Sequence, residues 1–185
     1  MTVVLMAAAL SADARPATAE GDPRTIVVHV DDHARVAPAE LAAAEVETTR
    51  IFAAAGVRAT WEHATVDPNA RLDNVTHLAV VICADTSEGL GPTVAGRAVR
   101  GTGRAYIYYS RVAFAAHQHA RPVGTVLGMA IAHEVGHLLL PKNSHSFAGI
   151  MRDDLELTSL LPQQFTVRQG AAIRATLSED ARTAR

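Results

Sequence analysis

Apolar and polar positions along the chain follow two periods, and the switches between them mark out its elements. Thr25-Ile26-Val27-Val28-His29-Val30 is rich in β-branched residues and reads as a strand. From Pro38 to Ala55 the pattern is helical, with Leu41, Ala44, Val46, Ile51 and Phe52 expected on the inner side and Gly56 closing the helix. Residues 57–63 alternate as a second strand, and Asp67-Pro68-Asn69 marks a turn. Residues 76–84 are almost continuously apolar, as expected of a strand in the interior of a sheet. Residues 85–104 are glycine-rich and loop-like, with a short edge strand expected near 94–99; Gly101 and Gly103 lack the rest of a dinucleotide fingerprint and read as turn chemistry. A further strand is expected over 104–112, centred on Ala105-Tyr106-Ile107-Tyr108-Tyr109-Ser110. Residues 123–140 then form a mostly apolar helix, with Pro122 suited to its first turn and Pro141 ending it. A polar stretch, the segment 155–161, a break at Pro162 and a terminal helix over 166–177 complete the chain.

This order predicts an α+β fold with an α/β-like N-terminal part. It has a mixed sheet of four to five strands, a backing helix, a long apolar helix and a C-terminal helix. The first strand–helix–strand unit implies a parallel pair. With 185 residues, the chain is expected to hold a single domain over 20–185, behind a leader over 1–19. Val3 to Leu10 is apolar and short, and Ala12-Asp13-Ala14 and Ala17-Thr18-Ala19 offer small-x-small cleavage patterns. A secretory signal, and with it a secreted or periplasmic location, is the expectation. A disordered leader on a cytoplasmic protein is the alternative, since basic residues do not precede the apolar run.

The balance of charges narrows the partners. Net charge is −2, charged residues make up 19%, and no basic block is present, which argues against nucleic acid or an acidic membrane surface. No segment reads as an integral membrane span. The lone Cys83 excludes an intramolecular disulfide and, within an apolar strand, reads as a buried structural thiol.

The apolar helix contains His133-Glu134-Val135-Gly136-His137, an HExxH pattern. Positions i and i+4 share a helical face, so both imidazoles can hold one metal ion. Glu134 is then placed to take a proton from a water on that metal. Two histidines and a glutamate inside an apolar helix are costly unless something satisfies them, and a bound cation does so. A catalytic zinc site commonly has three protein ligands and an open position. His145 is the nearest third candidate, with Pro141 and Asn143 favouring a turn that returns it beneath the helix. Asp153, Asp154 and Glu156 are the carboxylate alternatives.

With His133-Glu134-Val135-Gly136-His137, the downstream His145 and Gly149-Ile150-Met151, the sequence resembles the zincin metallopeptidases and, within them, the metzincins. It departs from the metzincin continuation at Leu140 and Asn143, where glycine and histidine would stand, and its histidine arrives two residues later. The resemblance implies a zincin-like fold, Zn2+ as cofactor, and Met151 as a hydrophobic floor beneath the metal. It also implies a segment near 93–103 that lines the cleft and binds extended substrate through backbone groups.

Zinc-dependent hydrolysis of peptide or protein substrates, by a metalloendopeptidase, is therefore the expected function. The alternative is a non-catalytic zinc-binding or peptide-binding module of the same fold. Weaker candidates are His117 and His119 for a second metal, and Tyr106, Tyr108 and Tyr109 for an oxyanion donor. His29, His33, His63 and His77 read as surface or packing residues.

Overall fold

A computed structural model describes residues 24–67, 72, 75–85, 94–159 and 161–183. The leader over 1–19, Pro68 and Asn69 of the expected turn, and Gly89, Gly91 and Pro92 lie outside the described residues. The strands are β1 (Thr25–Asp32), β2 (Arg58–His63), β3 (His77–Cys83), β4 (Gly96–Val99) and β5 (Arg104–Tyr108). The helices are α1 (Pro38–Ala54), α2 (Tyr109–Gln118), α3 (Val123–Leu139) and α4 (Val167–Thr183).

The strands form one five-stranded sheet in the order β2-β1-β3-β5-β4. Strands β1, β2, β3 and β5 run parallel, and β4 pairs antiparallel with β5 at the edge. The mixed α/β architecture is that of a zincin-like fold. The near-continuous apolar run of β3 fits its central place, with Leu78, Ala79, Val80 and Ile82 almost fully buried. Alternate residues of β1, namely Ile26, Val28 and Val30, are buried in the core that also takes in residues of α1 and α3.

Helices α1 and α3 cross closely because α3 carries glycine at the crossing. A Cβ on Gly124 would lie 2.6 Å from the Glu40 carbonyl, and one on Gly128 would lie 2.6 Å from the Ala44 carbonyl. Thr48 uses this proximity: buried on α1, it donates its hydroxyl to the Gly128 carbonyl at 2.9 Å. Beyond that crossing α3 packs on β3, β5 and β4, which carries the histidine motif to the edge of the sheet.

Three expectations need correction. The strand expected over 104–112 stops at Tyr108, and α2 begins at once at Tyr109. The β-favouring run Tyr-Ile-Tyr-Tyr hides a helix whose buried positions, Val112 and Ala116, are one turn apart. Val46, expected inside α1, is 71% exposed, and the inner side is completed by Thr48 instead. Cys83, expected to be buried, is half-buried at the end of β3.

Candidate metal centre

The motif lies in the second half of α3, where His133 and Glu134 are each 8% exposed. Helical spacing brings His133 Nε2 within 3.0 Å of His137 Nε2. After α3 the chain turns back. Leu140 is extended, and Asn143 takes a left-handed conformation at φ 58°, which asparagine tolerates better than most residues. This turn delivers His145 Nε2 to 3.0 Å from His137 Nε2. The ligand atoms of His133, His137 and His145 all lie within 4.8 Å of one another, the one such cluster among the described residues.

Each imidazole is held through its other nitrogen. His133 Nδ1 lies 2.8 Å from the Ile150 carbonyl. A carbonyl only accepts, so the proton sits on Nδ1 and the Nε2 lone pair is free. His145 Nδ1 is paired with the Asp153 carboxylate, and His137 Nδ1 lies 3.4 Å from the Ser144 hydroxyl. The Nε2 lone pair of His133 thus points into the cluster, where His137 Nε2 lies 3.0 Å from both His133 Nε2 and His145 Nε2, and a cation among the three would draw on all of these nitrogens. Tetrahedral zinc with bonds of about 2.0–2.1 Å needs nitrogens roughly 3.3 Å apart, close to the 3.0 Å seen here. The residues present therefore fit a zinc ion.

Electrostatics favour the ligating protonation state. Burial lowers the pKa of His133, and the nearby His145 lowers it further against the Ile150 hydrogen bond. Burial, followed by His133, His145 and Arg100, lowers His137 to about 4. These imidazoles are neutral near pH 7, as metal ligands must be.

Several contacts that brace the site are not local in sequence. Gln169 of α4 donates Nε2 to the Ser144 carbonyl at 3.0 Å and to the Ser146 hydroxyl at 3.1 Å, so it holds the residues on both sides of His145. Arg100 donates to the Leu140 and Pro141 carbonyls at 2.6 and 2.8 Å and caps the end of α3. Met151 is fully buried beneath the helix; a Cβ on Gly136 would lie 2.7 Å from its Sδ. Nothing in the local sequence around Gln169 or Arg100 announces these roles.

The histidines lie in a cleft of about 1010 Å³ together with Glu134. Its walls come from 94–100, from α2 through Arg111, Phe114 and Gln118, and from 153–158. Thus the cleft wall expected near 93–103 includes β4. Burial raises the Glu134 carboxyl to about 7, while a hydrogen bond from the Ala98 amide pulls it down.

The orientation of that amide follows from the ladder. Bonded and non-bonded pairs alternate between antiparallel strands. Tyr108 N donates to the Ala95 carbonyl at 2.9 Å, and the register pairs Gly96 with Ile107 and Ala98 with Ala105. Gly96 and Ala98 therefore turn their N–H and C=O groups away from β5, towards the open edge.

The remaining candidates are engaged in other contacts. Asp153 lies on the far nitrogen of His145, and Arg152 pairs with Asp154 and Glu156. The three tyrosines do not line the cleft. Tyr109 donates to Glu40 on α1, and this bond raises its phenol to about 12. His117 lies in the last turn of α2 and His119 is its cap, with no metal-binding cluster there among the described residues. His29 stacks on His77, while His33 and His63 pair with Asp31 and Glu45.

No protein-family model matches the sequence, and no curated protein is significantly similar to it. Among solved structures it is similar to a zinc-dependent peptidase from Methanocorpusculum labreanum (strain Z), with a TM-score of 0.58 and 14% identity. The match covers 79% of this chain and 99% of that one. At this identity the likeness is one of fold. No helix among the described residues is long and apolar enough to cross a membrane.

Proposed function

We propose that this chain is a zinc-dependent endopeptidase of the zincin type, metzincin-like in its Gly149-Ile150-Met151 turn, acting on peptide or protein substrates. His133, His137 and His145 would hold Zn2+, Met151 would floor the site, and Glu134 is the general base. One observation carries the reading: three Nε2 atoms converge in a cleft that also contains Glu134, each imidazole steadied through Nδ1. The similarity of fold to a zinc-dependent peptidase supports it.

When bound, Zn2+ supplies a Lewis acid that polarises a carbonyl and lowers the pKa of a coordinated water to about 7. Glu134 accepts the proton of the attacking water and delivers it to the leaving amine. A carboxyl raised to about 7 suits both directions of that transfer near neutrality. The outward N–H and C=O of Gly96 and the outward C=O of Ala98 on β4 suit main-chain pairing with an extended peptide, which orients the scissile bond without demanding particular side chains. A structural zinc would use a fourth protein ligand; the cluster offers three among the described residues, which favours the catalytic reading over a non-catalytic module.

Glu134→Gln tests this assignment. It should retain stoichiometric zinc while kcat on a peptide library falls by about 100-fold or more. Unchanged turnover would remove Glu134 from the mechanism.

A further inference from the structure

Gly96, on the edge strand β4, lies directly against the side chain of Glu134. A Cβ built there would stand 2.7 Å from Glu134 Cγ and 3.0 Å from its Oε1, well inside van der Waals contact. It would also stand 2.9 Å from the Tyr106 carbonyl of the neighbouring strand, so β4 has little room to retreat. Two residues on, Ala98 turns its N–H to the open edge and donates it to the Glu134 carboxylate. The missing side chain and the outward amide thus act on one group: the first leaves a slot for its methylenes, the second anchors its oxygens.

We infer that Gly96 is a positioning residue for Glu134: the bare backbone at this position lets the glutamate lie across the edge strand with its carboxylate on the Ala98 amide. Any side chain at 96 displaces the carboxylate towards the open cleft. The inference rests on the peptidase reading for its kinetic consequence but not for the contact itself. A misplacement on the order of 1 Å costs up to ~100-fold in rate without removing substrate contacts. Gly96→Ala is therefore expected to act on kcat.

The test pairs Gly96→Ala with the same change in a Glu134→Ala parent, where the Cγ and carboxylate are gone and only the Tyr106 contact remains. Zinc content, kcat and KM are measured on the loaded protein, and Ala98 amide hydrogen exchange on the zinc-free protein. In the natural sequence Gly96→Ala should keep bound zinc and leave KM within about twofold, while kcat falls about tenfold or more. Ala98 should exchange about tenfold faster or more, as an amide does when its acceptor leaves. In the Glu134→Ala parent Ala98 already exchanges fast, and Gly96→Ala should add nothing. Unchanged Ala98 exchange overturns the inference, as does faster exchange with kcat intact. Should Gly96→Ala fold only in the Glu134→Ala parent, the conflict with Glu134 is upheld; failure to fold in both parents assigns it to Tyr106 and overturns the inference. A natural sequence without peptidase activity would sink the proposed function, while the exchange comparison still decides the contact.

Discussion

Gly128→Ala sets two effects of opposite sign against each other. In an isolated helix the change is favourable by about 0.8–1 kcal/mol, because alanine restricts the unfolded backbone and favours the helix. In this fold the new Cβ would lie 2.6 Å from the Ala44 carbonyl and 2.8 Å from Glu47 Cβ. An ordinary contact is about 3.4 Å or more, so α1 must move away by several tenths of an ångström over its whole contact with α3. Neither obstacle is the free end of a flexible side chain. Overpacking of this kind costs about 1–3 kcal/mol, and the shift also stretches the 2.9 Å bond from Thr48 to the Gly128 carbonyl, worth about 1 kcal/mol. The overlap wins, and the net change is a loss of about 1–3 kcal/mol. Urea unfolding of the zinc-free protein should show a lower midpoint with an unchanged m-value. The thermal midpoint should fall by roughly 2–12 °C for a domain of this size. An unchanged or higher midpoint would show that the α1–α3 crossing is not set by glycine.

Other consequences follow from the same contacts. Asp153→Asn leaves the shape of the partner on His145 Nδ1 but removes its charge; as Asp153 is 83% exposed, zinc affinity should fall by only about tenfold in a competition titration with a chromophoric chelator. No change would mean that this pair does not orient His145. In the zinc-free protein, His137 has its pKa depressed to about 4, so its contribution is present above the unfolded value of 6.5 and is lost as pH falls through 4. Glu134 is raised to about 7 from 4.5, so its contribution is present below 4.5 and is lost as pH rises through 7. The two oppose each other, and zinc-free Glu134→Gln should therefore gain more stability than the natural protein between pH 4.5 and 6.5. Parallel urea-midpoint profiles across that range would contradict the burial of Glu134.

Local pattern is legible in this sequence; contact at a distance is not. Helix α3 and the shared face of His133 and His137 follow from spacing alone, and β1, β3 and the edge strand follow from period and composition. Helix α2 was masked because strand and helix meet at Tyr108 and Tyr109 with no intervening turn residue. On α1, Val46 looked internal and Thr48 did not, because the value of Thr48 depends on a carbonyl 80 residues away. The site repeats the lesson. The ligand spacing can be read along the chain, yet the partners that hold it arrive from elsewhere: the Ile150 carbonyl, Gln169 of α4, Arg100 beside β4, and the space left by Gly96. The return of His145 to the helix needed the left-handed Asn143, a residue whose presence suggests a turn without giving its direction.

Zinc-edge X-ray absorption of the loaded protein measures the claim on which the rest depends. Three imidazole nitrogens at about 2.0–2.1 Å and one further oxygen from solvent are expected, with one nitrogen lost in each of His133→Ala, His137→Ala and His145→Ala. A coordination shell filled by four protein atoms, or one unaltered by His145→Ala, would contradict the three-histidine centre.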